Sequence, residues 1–491
     1  MSSNGVIATE RNLVFGFMNS SKKYLTHEKF GLKINALGKF LKSKQKWTVE
    51  QPAGNDAVFL RSHLNRYMSA DEKGNVSCEA EAKGDNEKFV LEIDNDGLWA
   101  LKSYCHGYYF GGTDDTLSCF SKTKGANELW TVHVAIHPQV HIRNVKAKRY
   151  AKMEENELRV IGDLPWGEES LVTLAFRDGK YMFLSFDDKY LHRNGSMVDE
   201  PSDDTKFVME LHSGKVSFKD CEGCYLSCIG QKATMKSKNK SAGKDELFVL
   251  EDSYPQGVII ASSGKYVSLK QGQDLSANQD SIGAEETFQL EFDEFTGKWA
   301  FRISADKYWT LASTSGIQAT STNKNSPEAL FQVEYHGKHI ALKAKNGKYV
   351  TCKPSGHLYA SADVATDKEM FLFRLINRPL LVLRGVDGFV GVKSSSKSNK
   401  LECNCSKYTL MHLLYNDGRY KLKTSGDKSW AVDSHGDVSI DGANSGDFIL
   451  EFHRENKLCI RAPNDKYIKG EQSGIFRANG SEVNESTMWE Y

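Results

Sequence analysis

The chain has 491 residues, of which 40% are hydrophobic and 26% charged, with 64 lysines and arginines against 64 aspartates and glutamates. That length exceeds what one core organises and predicts three to five units. The balanced charge excludes a generally polycationic binder of nucleic acid or membrane but leaves room for local asymmetry.

The opening "MSSNGVIATERNLVFGF" lacks the basic-then-apolar layout of a secretory signal, and no run reaches the eighteen or so apolar residues of a membrane span. Ten sparse cysteines then predict free thiols in a reducing cytosol. The first patterned stretch, Lys22 to Trp47, carries eight lysines (Lys22, Lys23, Lys29, Lys33, Lys39, Lys42, Lys44 and Lys46) against Glu28 alone. From Thr48 to Pro138 the balance reverses, with eight basic and fourteen acidic residues. A window this polarised focuses potential toward an acidic partner and makes binding salt-sensitive.

Within that stretch "SKKYLT" starts a pattern of turn, basic residue, aromatic and apolar residue that returns along the whole chain. Its aromatics are Tyr24, Tyr67, Tyr109, Tyr150, Tyr190, Tyr225, Tyr266, Tyr308, Tyr349, Phe389, Trp430 and Tyr467, mostly about forty residues apart. Around Tyr266 the run reads "VIIA", turn, "YVSL", turn, "LSA", turn, "FQLEF", which is the signature of short strands in hairpins. A second period is set by "AIHPQVHI", "SYPQGVII" and "INRPLLVL", whose Pro138, Pro255 and Pro379 bracket three units each. Proline cannot donate to a strand ladder and suits a boundary between β modules. The expected fold is all-β, four tandem β-trefoils over residues 1–138, 139–256, 257–378 and 379–491. The repeated aromatics are expected to face the trefoil cores, and Trp47 to begin a strand closing the first.

Other signals are weak. Gly-x-Ser-x-Gly, Walker, dinucleotide and His-Glu-x-x-His patterns are missing, so neither an enzyme nor a cofactor is expected. "CEGCYLSC" places Cys221, Cys224 and Cys228 close together, but a zinc site needs a fourth ligand and unpaired thiols are the better reading. His137 beside Pro138 reads as structural. Gln45-x-Trp47 matches the Gln-x-Trp of trefoil lectins, leaving a carbohydrate-binding module as the alternative function. The aromatics are not interleaved with lysines as a stacking platform, so nucleic acid is not expected. Further basic clusters occur at Lys343 to Lys353, Lys236 to Lys240 and Arg454 to Lys469.

With these elements in order, the segments "KYLTHEKFGLKINA", "FGGTDDTLSCF", "DLPWGEESLVTLAF", "QGQDLSANQD", "INRPLLVLRGVDGFVG" and the terminal "WEY" resemble fascins, over essentially the whole chain. The resemblance implies a compact cytoplasmic monomer that cross-links parallel actin filaments into tight bundles, as in filopodia. It implies one filament-binding cleft at Lys23, Lys42 and Lys44 of the first trefoil with Arg461 and Lys469 of the fourth. A second face is implied at Lys270, Lys348 and Lys353, with Arg384 and Lys393 as further candidates. Leu98, Gly107 and Ser394 stand where vertebrate members carry basic residues. Phe40 occupies the position of the phosphorylated serine of those members, which leaves Ser43 as the candidate for a phosphate switch.

Overall fold

The computed structural model describes residues 13–52, 57–269, 272–392, 399–424, 428–440, 446–454 and 456–491. It is built of short antiparallel strands with a few single-turn 3-10 helices. Four β-trefoils follow one another along the chain. They group into two units. The first takes the described residues through Asp163 with Val172–Glu251 and Val386–Gly388; the second takes Leu164–Leu171, Asp252–Gly385 and Phe389–Tyr491.

The first trefoil shows why three repeats are needed for one core. Leu13–Met18 pairs with Trp47–Glu50, which pairs with Ala57–Ser62; Phe89–Ile93 and Leu98–Ser103 follow. Trp130–Val134 then pairs with both Leu98–Ser103 and Leu13–Met18, with Phe15 opposite Val134, and the ring of six strands closes. Closure leaves no barrel strand with an unpaired edge. Three hairpins cap the barrel, each carrying one repeated aromatic. Phe15, Phe17, Trp47, Trp99 and Trp130 fill its interior. The expected closing strand is there: Trp47 is fully buried and its indole N–H donates to the Leu25 carbonyl at 3.0 Å.

In the second unit the strand Gln256–Ile260 likewise pairs with Leu372–Leu375 and with Thr287–Asp293. Gly257 sits at this closure, where a Cβ would lie 2.5 Å from the Arg374 carbonyl oxygen. Glycine is what lets the two strands approach so closely.

The boundary prolines share one role. The carbonyls of Pro138, Pro255 and Pro379 accept hydrogen bonds from Leu174, Leu290 and Leu413 at 2.8, 2.9 and 2.8 Å. Each proline therefore contributes its acceptor to the next barrel, where its missing donor costs nothing.

The repeated aromatics are not in general the core residues that their regularity suggests. In ten hairpins the ladder slips just after the aromatic, from Tyr24 and Tyr67 through to Phe389 and Tyr467. A bulge of this kind re-aims the next side chain. Leu25, Met68, Phe110, Ala151, Leu226, Val267, Trp309, Val350, Val390 and Ile468 are all fully buried. In seven of these hairpins the hydroxyl of the aromatic meets a glutamate, as Tyr67 with Glu50 at 3.3 Å, Tyr109 with Glu92 at 3.1 Å, Tyr225 with Glu210 at 2.8 Å and Tyr467 with Glu451 at 2.7 Å. A lysine or arginine completes the set, as Arg61 does on Glu50 at 2.6 Å and Lys219 on Glu210 at 2.6 Å. Trp430, whose hairpin pairs without a slip, is fully buried in the core, whereas Tyr190, whose hairpin also pairs without one, is half-buried.

Within each unit a tyrosine joins one trefoil to the next. The Tyr181 hydroxyl accepts from the Val134 N–H at 2.9 Å and lies 3.3 Å from the Val132 carbonyl. Tyr420 repeats this on Leu375 at 3.0 Å and Phe373 at 3.2 Å. Both hydroxyls are buried, and burial pushes both phenols up from their ordinary value.

Candidate functional site

In the first unit the lysine-rich stretch folds into a hairpin and a turn braced against it. Tyr24–His27 pairs with Ile34–Gly38, and the Glu28 N–H donates to the Lys33 carbonyl at 2.8 Å to close the tip. Gly31 at the tip has φ 68°, and Leu32 has φ 48°. The turn Ser43–Gln45 lies beside this hairpin. Gln45 fixes it there: its amide oxygen accepts from the Lys42 N–H at 3.1 Å, and its amide nitrogen donates to Thr26 Oγ1 at 3.0 Å. Gln45 and Trp47 are both buried, so this Gln-x-Trp is occupied with structure rather than presented to a sugar.

That bracing sets what the patch shows to solvent. Ser43 is exposed. Lys44 Nζ pairs with Glu28 Oε2 at 2.6 Å while half the lysine side chain stays exposed, which ties the turn to the hairpin tip. Lys42 Nζ lies 3.2 Å from Oδ1 of Asp387, in the Val386–Gly388 segment grouped with this unit. Lys23 is half-buried, its backbone N–H donating to Asn19 Oδ1 at 3.0 Å. Beneath the turn, His27 is buried with Nδ1 2.8 Å from Ser62 Oγ, and its ring stands edge-on to His63. Burial lowers the pKa of His27, and the neighbouring His63 lowers it further; burial and then the Lys44 charge lower that of His63.

In the second unit the candidates divide by environment. Arg461 is committed to the rim set of its own repeat. It bonds Glu451, a carboxylate only 1% exposed, through Nε at 2.8 Å and through Nη2 at 2.7 Å. It also reaches Asp465 at 3.1 Å and the Tyr467 hydroxyl at 2.8 Å. Burial alone would raise the Glu451 pKa, but hydrogen bonds from His453, Tyr467 and Arg461 outweigh it and hold the carboxyl below its ordinary value. Arg384 is similarly held, with Nε 2.6 Å from Glu490 Oε2 and the guanidinium over the Phe389 ring. Lys469 is half-buried on the strand Tyr467–Gly470, opposite Arg477, and has no ion pair among the described residues. Lys348 pairs with Asp363 at the surface. Lys353 donates to Ser361 Oγ at 3.0 Å. Lys270 and Lys393 lie outside the described residues.

Sequence reasoning missed Phe30. It stands at the hairpin tip between Lys29 and Lys33, 95% exposed. Its signal was present as an aromatic without strand alternation, directly before a glycine in a charged turn.

The other chemical candidates resolve quietly. None of the ten cysteines forms a disulfide, and among the described residues no group of three or more His, Cys, Asp or Glu could hold a metal. His137 Nδ1 lies 3.3 Å from the Gln139 N–H, a local structural contact. No helix is long and apolar enough to cross a membrane among the described residues.

Against known proteins, the fascin domain model matches residues 21–132, 140–250, 262–373 and 389–491. The chain is 44% identical over 482 residues to Fascin-2 of Bos taurus, covering 97% of each chain. It is 39% identical over 497 residues to Fascin of Strongylocentrotus purpuratus, covering 97% of this chain and 98% of that one. Fascin-3 of Mus musculus is 26% identical, with 98% and 97% covered.

Proposed function

The chain belongs to the fascin family and is an actin-filament cross-linking protein of the cytoplasmic cytoskeleton, and on that premise we propose which surfaces do the binding. The carrying observation is the fascin domain match in all four trefoils. Cross-linking requires at least two separate filament-binding faces on one molecule.

One face lies on the first unit at Lys23, Lys42 and Lys44. The second unit contributes Lys469 and, for the second face, Lys348 and Lys353 with Arg384; Lys270 and Lys393, outside the described residues, join that face on sequence alone. Arg461 serves Lys469 mainly by positioning, because its guanidinium is already shared among Glu451, Asp465 and Tyr467. The protein works as a monomer and gathers parallel filaments in filopodia and similar protrusions.

Ser43 is a phosphate switch. Phosphorylation adds about −1.5 to −2 charges. At the exposed turn beside Lys42 and Lys44 this cancels the attraction and competes with Glu28 for the Lys44 ammonium.

The test is low-speed sedimentation with filamentous actin across a salt series. Bundling that fades with salt, and is lost in Lys44→Glu and Lys469→Glu with thermal stability kept, is the expected result. Bundling that survives both reversals would remove these residues from the faces. Glycan binding without actin pelleting would return the molecule to the carbohydrate-binding class.

A further inference from the structure

Lysine patches attract from a distance, but charge at a solvated rim governs association rate and salt dependence more than it holds a complex together. Durable protein contacts centre on a few aromatic or arginine anchors that are dehydrated in the complex. The first unit presents such a group in the open. Phe30 is 95% exposed at the hairpin tip, with Lys29 and Lys33 also exposed beside it. Its position is fixed from three sides. The Glu28 N–H to Lys33 carbonyl bond closes the loop at 2.8 Å, the Glu28 carboxylate is tied to Lys44 at 2.6 Å, and Gln45 secures the Lys44 turn to Thr26 at 3.0 Å. A braced hairpin tip loses little backbone entropy on binding, which is what distinguishes an anchor position from one on a loose surface loop.

We infer that Phe30 is the apolar anchor of the first-unit face, inserting into an apolar recess on the acidic surface of the actin filament while Lys44 and its neighbours steer the approach. This rests on the actin-binding reading of that face. The eight-lysine window around Phe30 argues for an acidic partner. Phe295 supplies an internal contrast: it is 97% exposed on the turn after Thr287–Asp293, but its neighbours are Asp293 and Glu294. Exposure is the same and the charge is opposite, so Phe295 should take no part.

The experiment measures filament affinity of the full chain by high-speed co-sedimentation over a salt series, for wild type, Phe30→Ala, Phe30→Leu, Lys44→Glu and Phe295→Ala. Phe30→Ala should weaken binding by roughly tenfold to thirtyfold at every salt concentration, with the slope of log affinity against log salt unchanged. Phe30→Leu should recover part of that loss, while Lys44→Glu should weaken binding and flatten the slope. Phe295→Ala should match wild type. Wild-type affinity in Phe30→Ala alongside a weakened Lys44→Glu overturns the anchor and leaves the basic face standing. Failure of wild type to bind filaments overturns both. A parallel arm uses phosphatidylserine vesicles without actin: vesicle binding lost in Phe30→Ala, with actin affinity kept, would assign the tip to membranes and overturn the proposal.

Discussion

Replacing Tyr420 by phenylalanine removes one oxygen from the joint between the two trefoils of the second unit. The ring is 2% exposed and packs edge-on against Tyr415 with centroids 5.4 Å apart, and phenylalanine keeps that packing. What is lost is the bridge between the Leu375 N–H at 3.0 Å and the Phe373 carbonyl at 3.2 Å. Leu375 and Phe373 are 5% and 9% exposed, so water does not readily replace the hydroxyl. An orphaned buried donor or acceptor costs about 1–3 kcal/mol. Two on one strand, sharing one lost partner, should cost about 2–4 kcal/mol. For a unit of this size that corresponds to roughly 5–15 °C in its thermal transition. The assay is a thermal scan combined with native-state hydrogen exchange at the Leu375 amide, whose protection should fall by about two orders of magnitude or more. Tyr181→Phe should repeat the result in the first unit at the Val134 amide. A Tyr420→Phe protein within about 0.5 kcal/mol of wild type and with an unchanged Leu375 amide would refute the idea that these hydroxyls bind the trefoils together.

Arg461 and Lys469 should separate structure from binding. Arg461→Met leaves the buried Glu451 without its guanidinium partner and should cost about 2–4 kcal/mol in urea unfolding, whereas Lys469→Glu should leave the midpoint unchanged and lower filament affinity. Ser43→Glu should reduce bundling in sedimentation assays without shifting the thermal transition, and an unchanged affinity would dismiss the switch. The pH response should have two windows. His27 and His63 have lowered folded pKa values, so their neutral forms contribute full stability above about pH 6.5, which is progressively lost as pH falls through that unfolded value. Glu50, Glu92 and Glu451 are also lowered, so their contribution is complete above the unfolded value near 4.5 and disappears below it. Melting temperature against pH, with imidazole titration followed by NMR, checks both: a His27 pKa at or above 6.5 contradicts the first window.

The period of the fold was legible because every repeat spells the same hairpin, and the three prolines were legible because the same missing donor is tolerated at each barrel's start. Which side chain fills the core was not. A two-residue alternation cannot register a bulge, so Tyr67 reads as the core residue when Met68 is, and a phenol that meets Glu50 looks like one that points inward. The candidate site divided along the same line. Clustered lysines announce a basic face, but whether a given charge is offered or engaged depends on partners that only the fold brings beside it. Glu451 for Arg461 and Asp387 for Lys42 are ten and 345 residues distant. Phe30 was overlooked because exposure is a tertiary property: the same "KF" would be core in a strand.

A cross-linker carries tension, and on the proposed first-unit face that load would enter through the braced hairpin. A pull at Lys44 passes through Glu28 to the tip, while the adjoining Gln45 holds Thr26 further along the same strand. Tyr24–His27 is thus gripped at two points, and a load along its axis would be shared among its rungs to Ile34–Gly38 instead of opening them singly from the loop. The contact proposed to meet the filament would therefore also be a mechanical splice, stiffer under shear than the lone ion pair at its surface.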